Sequence, residues 1–84
     1  MDSFRLNQLA QIELKAADAY REQSSSAYRL AEMIDGPAKN GVQDEGDLAL
    51  ECAEWHLERA KEYGQLRDRA RVRELRVRFS NREW

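Results

Sequence analysis

Cys52 and His56 stand one helical turn apart, and a thiol beside an imidazole can share a metal ion or activate the sulfur as a nucleophile. The chain has one cysteine and one histidine in all, so these residue types cannot complete a tetrahedral zinc site within one subunit. Core packing accounts for both, and no metal site is assigned to them. Glu32 and Asp35, with Glu51 and Glu54, make two carboxylate pairs, the oxygen set that holds magnesium when two helices bring such pairs face to face. A third chemistry lies in the terminal stretch RDRARVRELRVRFSNREW. Its Arg69, Arg71, Arg73, Arg76 and Arg78 can grip phosphates, while Phe79 and Trp84 can stack on bases. Asp68 and Glu74 offset part of that charge, and arginines near a helix C-terminus are also favoured by the helix dipole. There is no glycine-rich phosphate loop, no Ser/His/Asp set and no nucleophile elbow. An enzyme is not expected, and no cofactor is implied.

These residues are positioned by an amphipathic pattern from Asp47 to Leu66. At about 100° per residue, Leu48, Cys52, His56, Ala60, Tyr63 and Leu66 fall on one side, and Glu51, Glu54, Glu58 and Glu62 form a ridge on the other. Trp55 stands at the border of the ridge. Tryptophan is enriched among residues that anchor interfaces, so Glu51, Glu54, Trp55, Glu58 and Glu62 are the candidate partner-binding face. Trp84 is a second candidate anchor.

The earlier chain reads as the cover for this helix. A first helix opens at Asp2 or Ser3, and Leu6, Leu9, Ala16, Tyr20, Ala27, Leu30 and Ile34 recur at three- and four-residue steps as a coiled-coil-like seam. The serines at 24, 25 and 26 admit a close neighbour. Gly36 and Pro37 end the helix, and Asn40–Gly41 predicts a turn. The boundaries are helix 3–35, loop 36–46, helix 47–66 and a basic segment 67–84, in one helical domain. The fold is an all-α antiparallel two-helix hairpin with a kinked or separate C-terminal segment, which reads as helix through about Arg78 although its alternation also suits a strand. Folding about the loop sets Ile34 opposite Leu48, Leu30 opposite Cys52, Ala27 opposite Trp55 or His56, Tyr20 opposite Tyr63, and Glu13 opposite Arg67 or Arg69. The apolar stripe, reaching through Leu50, Ala53 and Leu57, is wider than one partner helix covers, so a homodimer forming a four-helix bundle is expected.

Composition bounds the class. The 84 residues are 42% hydrophobic and 36% charged, which suits a folded helical protein near the lower size limit for a self-sufficient core. The single cysteine suits a reducing compartment, the opening residues lack the apolar run of a signal peptide, and no stretch is long enough to span a membrane. A cytoplasmic location is expected. The net charge of −2 divides unevenly: residues 1–66 hold 7 basic and 13 acidic side chains, residues 67–84 hold 7 and 3. An acidic body can occupy a groove built for nucleic acid, and a basic end can bind nucleic acid itself.

The facing carboxylate pairs resemble those of the all-helical nucleotide pyrophosphohydrolases, although their order is reversed here and the supporting lysine and asparagine motifs are missing. Size, acidity and all-helical make-up resemble the small phage-encoded inhibitors of bacterial defence, such as the anti-CRISPR proteins. Within the second helix, Leu48-Ala49-Leu50 leading to His56-Leu57-Glu58-Arg59 is similar to the hairpin proteins with which phages sequester cyclic-oligonucleotide signals, over about a quarter of the chain. That resemblance implies an oligomeric binding protein without catalysis. The leading expectation is a non-enzymatic module that regulates or inhibits a protein partner, such as a nucleic-acid-handling complex, through the glutamate ridge. Phosphate, nucleic-acid or nucleotide-signal recognition by the five arginines is the alternative, and a magnesium-dependent pyrophosphohydrolase is the third.

Overall fold

The structure, a computed structural model, describes residues 1–82 as two helices: α1, Ser3–Met33, and α2, Pro37–Arg82. They pack side by side as an antiparallel hairpin, and no strand occurs among the described residues. Trp84, expected as an anchor, lies outside them.

Asp2 caps α1, its Oδ1 accepting the Arg5 backbone N–H at 2.8 Å. Glu74 reinforces this end from the far side of the chain. It accepts the Ser3 backbone N–H at 3.0 Å and the Ser3 hydroxyl at 2.7 Å. Two carboxylates thus sit where free N–H groups and the helix dipole favour negative charge. The Ser3 N–H, followed by the Ser3 hydroxyl, holds the Glu74 carboxyl below its ordinary value.

At the other end Ile34 is extended and Gly36 takes φ +93°, a left-handed conformation open to glycine, so the chain reverses within three residues. Pro37 does not lead into a loop. It occupies the first position of α2, where a missing N–H costs nothing and its fixed φ suits the helix. The Gly36 carbonyl accepts the Lys39 N–H at 3.1 Å.

The expected loop 36–46 is therefore corrected: after Gly36 it is helical, Asn40–Gly41 included. Asp47 is not an N-cap but a mid-helix residue that accepts a hydrogen bond from the Tyr28 hydroxyl. The expected helix 47–66 and the segment 67–84 likewise merge into one unbroken helix as far as Arg82, with neither a separate element nor a break at Arg67 to Arg71. At 1.5 Å per residue α2 is about 69 Å long. The longest dimension of the protein, 75 Å against 14 and 12 Å, is that of a nearly straight rod. Since Glu74 lies level with the start of α1, the last two turns of α2 project beyond the hairpin.

The helices meet through small residues. Ala10, Ala17, Ser24 and Ala31 recur at intervals of seven and are buried, as are Gly46, Ala53 and Ala60 on α2. A seven-residue spacing keeps one stripe of each helix facing the other along its whole length. Side chains this short let the backbones approach closely. At Gly46 a Cβ would stand 2.8 Å from the Tyr28 ring, and the buried Ser24 hydroxyl donates to the Gly46 carbonyl at 2.9 Å. The expected seam is rotated accordingly. Leu30 is exposed rather than buried, and so are Leu48 and Leu66. Large side chains would hold the helices apart, so they straddle the contact.

The facing pairs also change, because the turn is shorter than expected. Glu13 meets His56 and Arg59 in place of Arg67 or Arg69, Tyr20 stacks on His56 in place of Tyr63, and Ser24 lies against Gly46. Arg67 reaches Asn7 instead, donating to its Oδ1 at 2.8 Å. No helix of the described residues is long and apolar enough to cross a membrane.

Candidate interaction face

A polar and aromatic cluster crosses the hairpin at its middle and sets the position of Trp55. His56 Nδ1 lies 2.5 Å from Glu13 Oε2, both side chains being about one-fifth exposed. The imidazole is stacked on Tyr20, with ring centres 5.4 Å apart, and lies T-shaped to Trp55, with ring centres 5.0 Å apart. The Arg59 guanidinium lies 5.2 Å from the Trp55 ring centre and 5.3 Å from that of Tyr63, and its Nη2 donates to the Tyr63 hydroxyl at 2.8 Å. Arg59 Nε is buried 3.9 Å from Glu13 Oε1, outside hydrogen-bonding range. Trp55 is thus held by a T-shaped contact with the imidazole and by a cation over its face. The residue nonetheless remains 57% exposed.

Glu51, Glu54, Glu58 and Glu62 are all exposed beside it, on the side of α2 turned away from α1. Glu58 makes an exposed i,i+3 pair with Lys61 at 3.2 Å. Among the described residues, Glu51, Glu54 and Glu62 have no ion-pair partner. The structure therefore brings together the five residues expected to bind a partner.

The five arginines divide. Arg69, Arg73 and Arg76 share the outer side of α2 and, with Leu66, Asp68 and Val72, line a shallow depression there. Arg71 turns to the opposite side, lining a second depression with Ser3, Phe4 and Asn7. Arg78 lies on the projecting end and is exposed. A single five-arginine phosphate grip is not formed on this helix.

The other constellations separate. His56 is committed to Glu13 and Tyr20, and Cys52 is half-buried with a free thiol. Glu32 and Asp35 lie at the turn. Glu51 and Glu54 fall between the levels fixed by the Ser24–Gly46 and Glu13–His56 contacts, well along the rod. The two carboxylate pairs do not face each other, and the described residues contain no group of three or more histidine, cysteine or carboxylate side chains placed to hold a metal.

No match accompanies this geometry. Neither a protein-family model, nor a curated protein, nor a solved structure matches the chain. The account of function rests on the residues themselves.

The Glu13–His56–Arg59 contact is what sequence reasoning located only in part. An acid on the inner side of α1 requires a cation opposite, but which cation depends on the length of the turn. The seven-residue recurrence of Ala, Ser and Gly was the available signal for that register.

Proposed function

We propose that the chain is a non-enzymatic interaction protein that binds, and thereby regulates or inhibits, a partner protein through the outer face of α2. The observation that carries this reading is Trp55. A large aromatic ring is packed against His56 and Arg59, yet the residue is more than half exposed among carboxylates of which, among the described residues, Glu58 alone has an ion-pair partner. A rigid, half-exposed tryptophan inside a charged rim has the anatomy of an interface anchor. The chemistry that fits it is a basic surface with an apolar notch, as on a protein that handles nucleic acid. The expected likeness to phage-encoded inhibitors of bacterial defence belongs to this proposal.

The test is affinity capture of the partner by the full chain and by a variant carrying Glu51→Lys, Glu54→Lys, Glu58→Lys and Glu62→Lys, with helicity of both checked by circular dichroism. A partner held by the wild type is expected to be lost by the folded variant. Undiminished capture by that variant would remove the acidic face from the account.

The second reading, phosphate recognition, is favoured by one feature, the shared outward direction of Arg69, Arg73 and Arg76. It predicts oligonucleotide retention that falls steeply as salt rises. A flat, negligible response rejects it.

A further inference from the structure

The outer face of α2 carries two sets of exposed charges in sequence order. Glu51, Glu54 and Glu58 come first, and Arg69, Arg73 and Arg76 follow. Among the described residues none of the six except Glu58 has an ion-pair partner within the chain. Their spacings are mirror images. The acidic steps are three then four residues, and the basic steps read backwards from Arg76 are also three then four. Because α2 runs unbroken from Pro37 to Arg82, this order in sequence is an order along one straight axis.

From this we infer that the partner of the outer face is a second copy of the same chain, with the two α2 helices antiparallel about a two-fold axis between Tyr63 and Gly64. The inference rests on the reading of that face as a docking surface, and names its occupant. An antiparallel pair centred there brings Glu51 level with Arg76 of the second copy, Glu54 with Arg73, and Glu58 with Arg69, each pairing occurring twice by symmetry. The apolar residues follow the same register. Trp55 falls level with Val72, at the depression lined by Leu66, Arg69, Val72, Arg73 and Arg76, and Leu48 falls level with Phe79. Trp55, Leu48, Val72 and Phe79 are all large side chains that the single hairpin leaves exposed. A parallel pair would instead set each carboxylate row against itself, which like-charge repulsion opposes. The same patch on both copies meeting itself is the geometry a two-fold interface requires.

The arrangement also accounts for the length of α2. The helix extends past the start of α1 by the residues that would lie beside Leu48 and Glu51 of the other copy.

Charge reversal tests the pairing. One full-length variant carries Glu51→Arg, Glu54→Arg and Glu58→Arg, and another carries Arg69→Glu, Arg73→Glu and Arg76→Glu. Sedimentation velocity on each alone is expected to give monomers, with self-association weakened at least about a hundredfold relative to wild type. Mixed in equal amounts, they are expected to form a heterodimer, because both halves of its interface regain opposite charges. Either variant dimerising alone as the wild type does, or a mixture of folded variants that stays monomeric, overturns the inference. So does a wild type that stays monomeric at low salt, whether or not it retains an oligonucleotide. In that last case the face remains open to a foreign protein, and the capture experiment judges that reading separately. Circular dichroism of each variant identifies loss of folding. A Trp55→Ala chain, which leaves all six charges in place, is a second probe expected to weaken self-association; unchanged association contradicts the register.

Discussion

Glu13 on α1 holds a carboxylate oxygen 2.5 Å from Nδ1 of His56 on α2, and this contact fixes which turns of the two helices face each other. Around it Tyr20, Trp55, Arg59 and Tyr63 pack into a polar and aromatic cluster along a seam whose buried residues are mostly alanine, with Ser24, Gly46 and Leu6.

Replacing Glu13 by alanine is expected to leave His56 without its hydrogen-bond partner, and Arg59 without the carboxylate 3.9 Å from its Nε, in a partly buried site. A loss of about 1–3 kcal/mol follows, measured by urea denaturation. Glu22→Ala, at an exposed position of α1, should change the same measurement by less than about 0.5 kcal/mol. Equal effects would mean that Glu13 does not organise the seam.

Two glycines of α2 separate a helical segment from a loop. Gly41 has open space around its missing Cβ, so in a helix Gly41→Ala should stabilise by about 0.5–1 kcal/mol. In an Asn-Gly turn the same change would destabilise. Gly46→Ala should destabilise instead, because its Cβ would meet the Tyr28 ring at 2.8 Å. Thermal melting of both variants reads the difference.

The seam predicts its own intolerance of size. Ala17 and Ala53 are fully buried, and a leucine at either position is expected to cost about 1–3 kcal/mol by forcing the helices apart. Ile12→Ser, on an exposed flank, should be nearly neutral in chemical denaturation of dilute protein. Tolerance of Ala17→Leu would show that the helices do not approach closely.

Two groups make the hairpin sensitive to pH at opposite extremes. The Glu74 carboxyl is held down by Ser3, so its contribution is present above the ordinary carboxylate value and is lost as pH falls through its lowered folded value. The Tyr28 phenol is held up, first by its hydrogen bond to Asp47 and then by desolvation and the Asp47 charge. Its contribution is present below the ordinary phenol value and is lost as pH rises through the raised folded one. Glu74 is exposed and Tyr28 only half-buried, so the effects are small. The difference in melting temperature between wild type and Glu74→Gln should therefore vanish in acid, and that between wild type and Tyr28→Phe in strong base. Differences that persist unchanged across those ranges would contradict the contacts.

Much of this architecture was legible in the chain. The all-helical hairpin, a cap at Asp2 or Ser3, the end of the first helix before Gly36 and the grouping of Glu51, Glu54, Trp55, Glu58 and Glu62 follow from periodicity and local chemistry. The extent of α2 did not, because Gly36-Pro37, Asn40-Gly41 and Gly46 signal a loop in isolation. Pro37 at a first helical position and Gly46 under Tyr28 have tertiary reasons that only the packed pair supplies. With the loop misread, every facing pair shifted, and Glu13 exchanged an arginine for a histidine. The seam was misplaced for a related reason. Hydrophobic periodicity marks the large side chains, and here the small ones make the contact.

The central claim is that the outer face of α2 is a docking surface whose natural complement is its own copy. Its most direct test is the mass of the wild-type chain by light scattering across a dilution series, in low and in high salt. The account predicts twice the chain mass of 9.8 kDa at low salt, moving toward the single-chain mass as salt screens the Glu–Arg pairs. A chain that weighs 9.8 kDa at every concentration in low salt would contradict it.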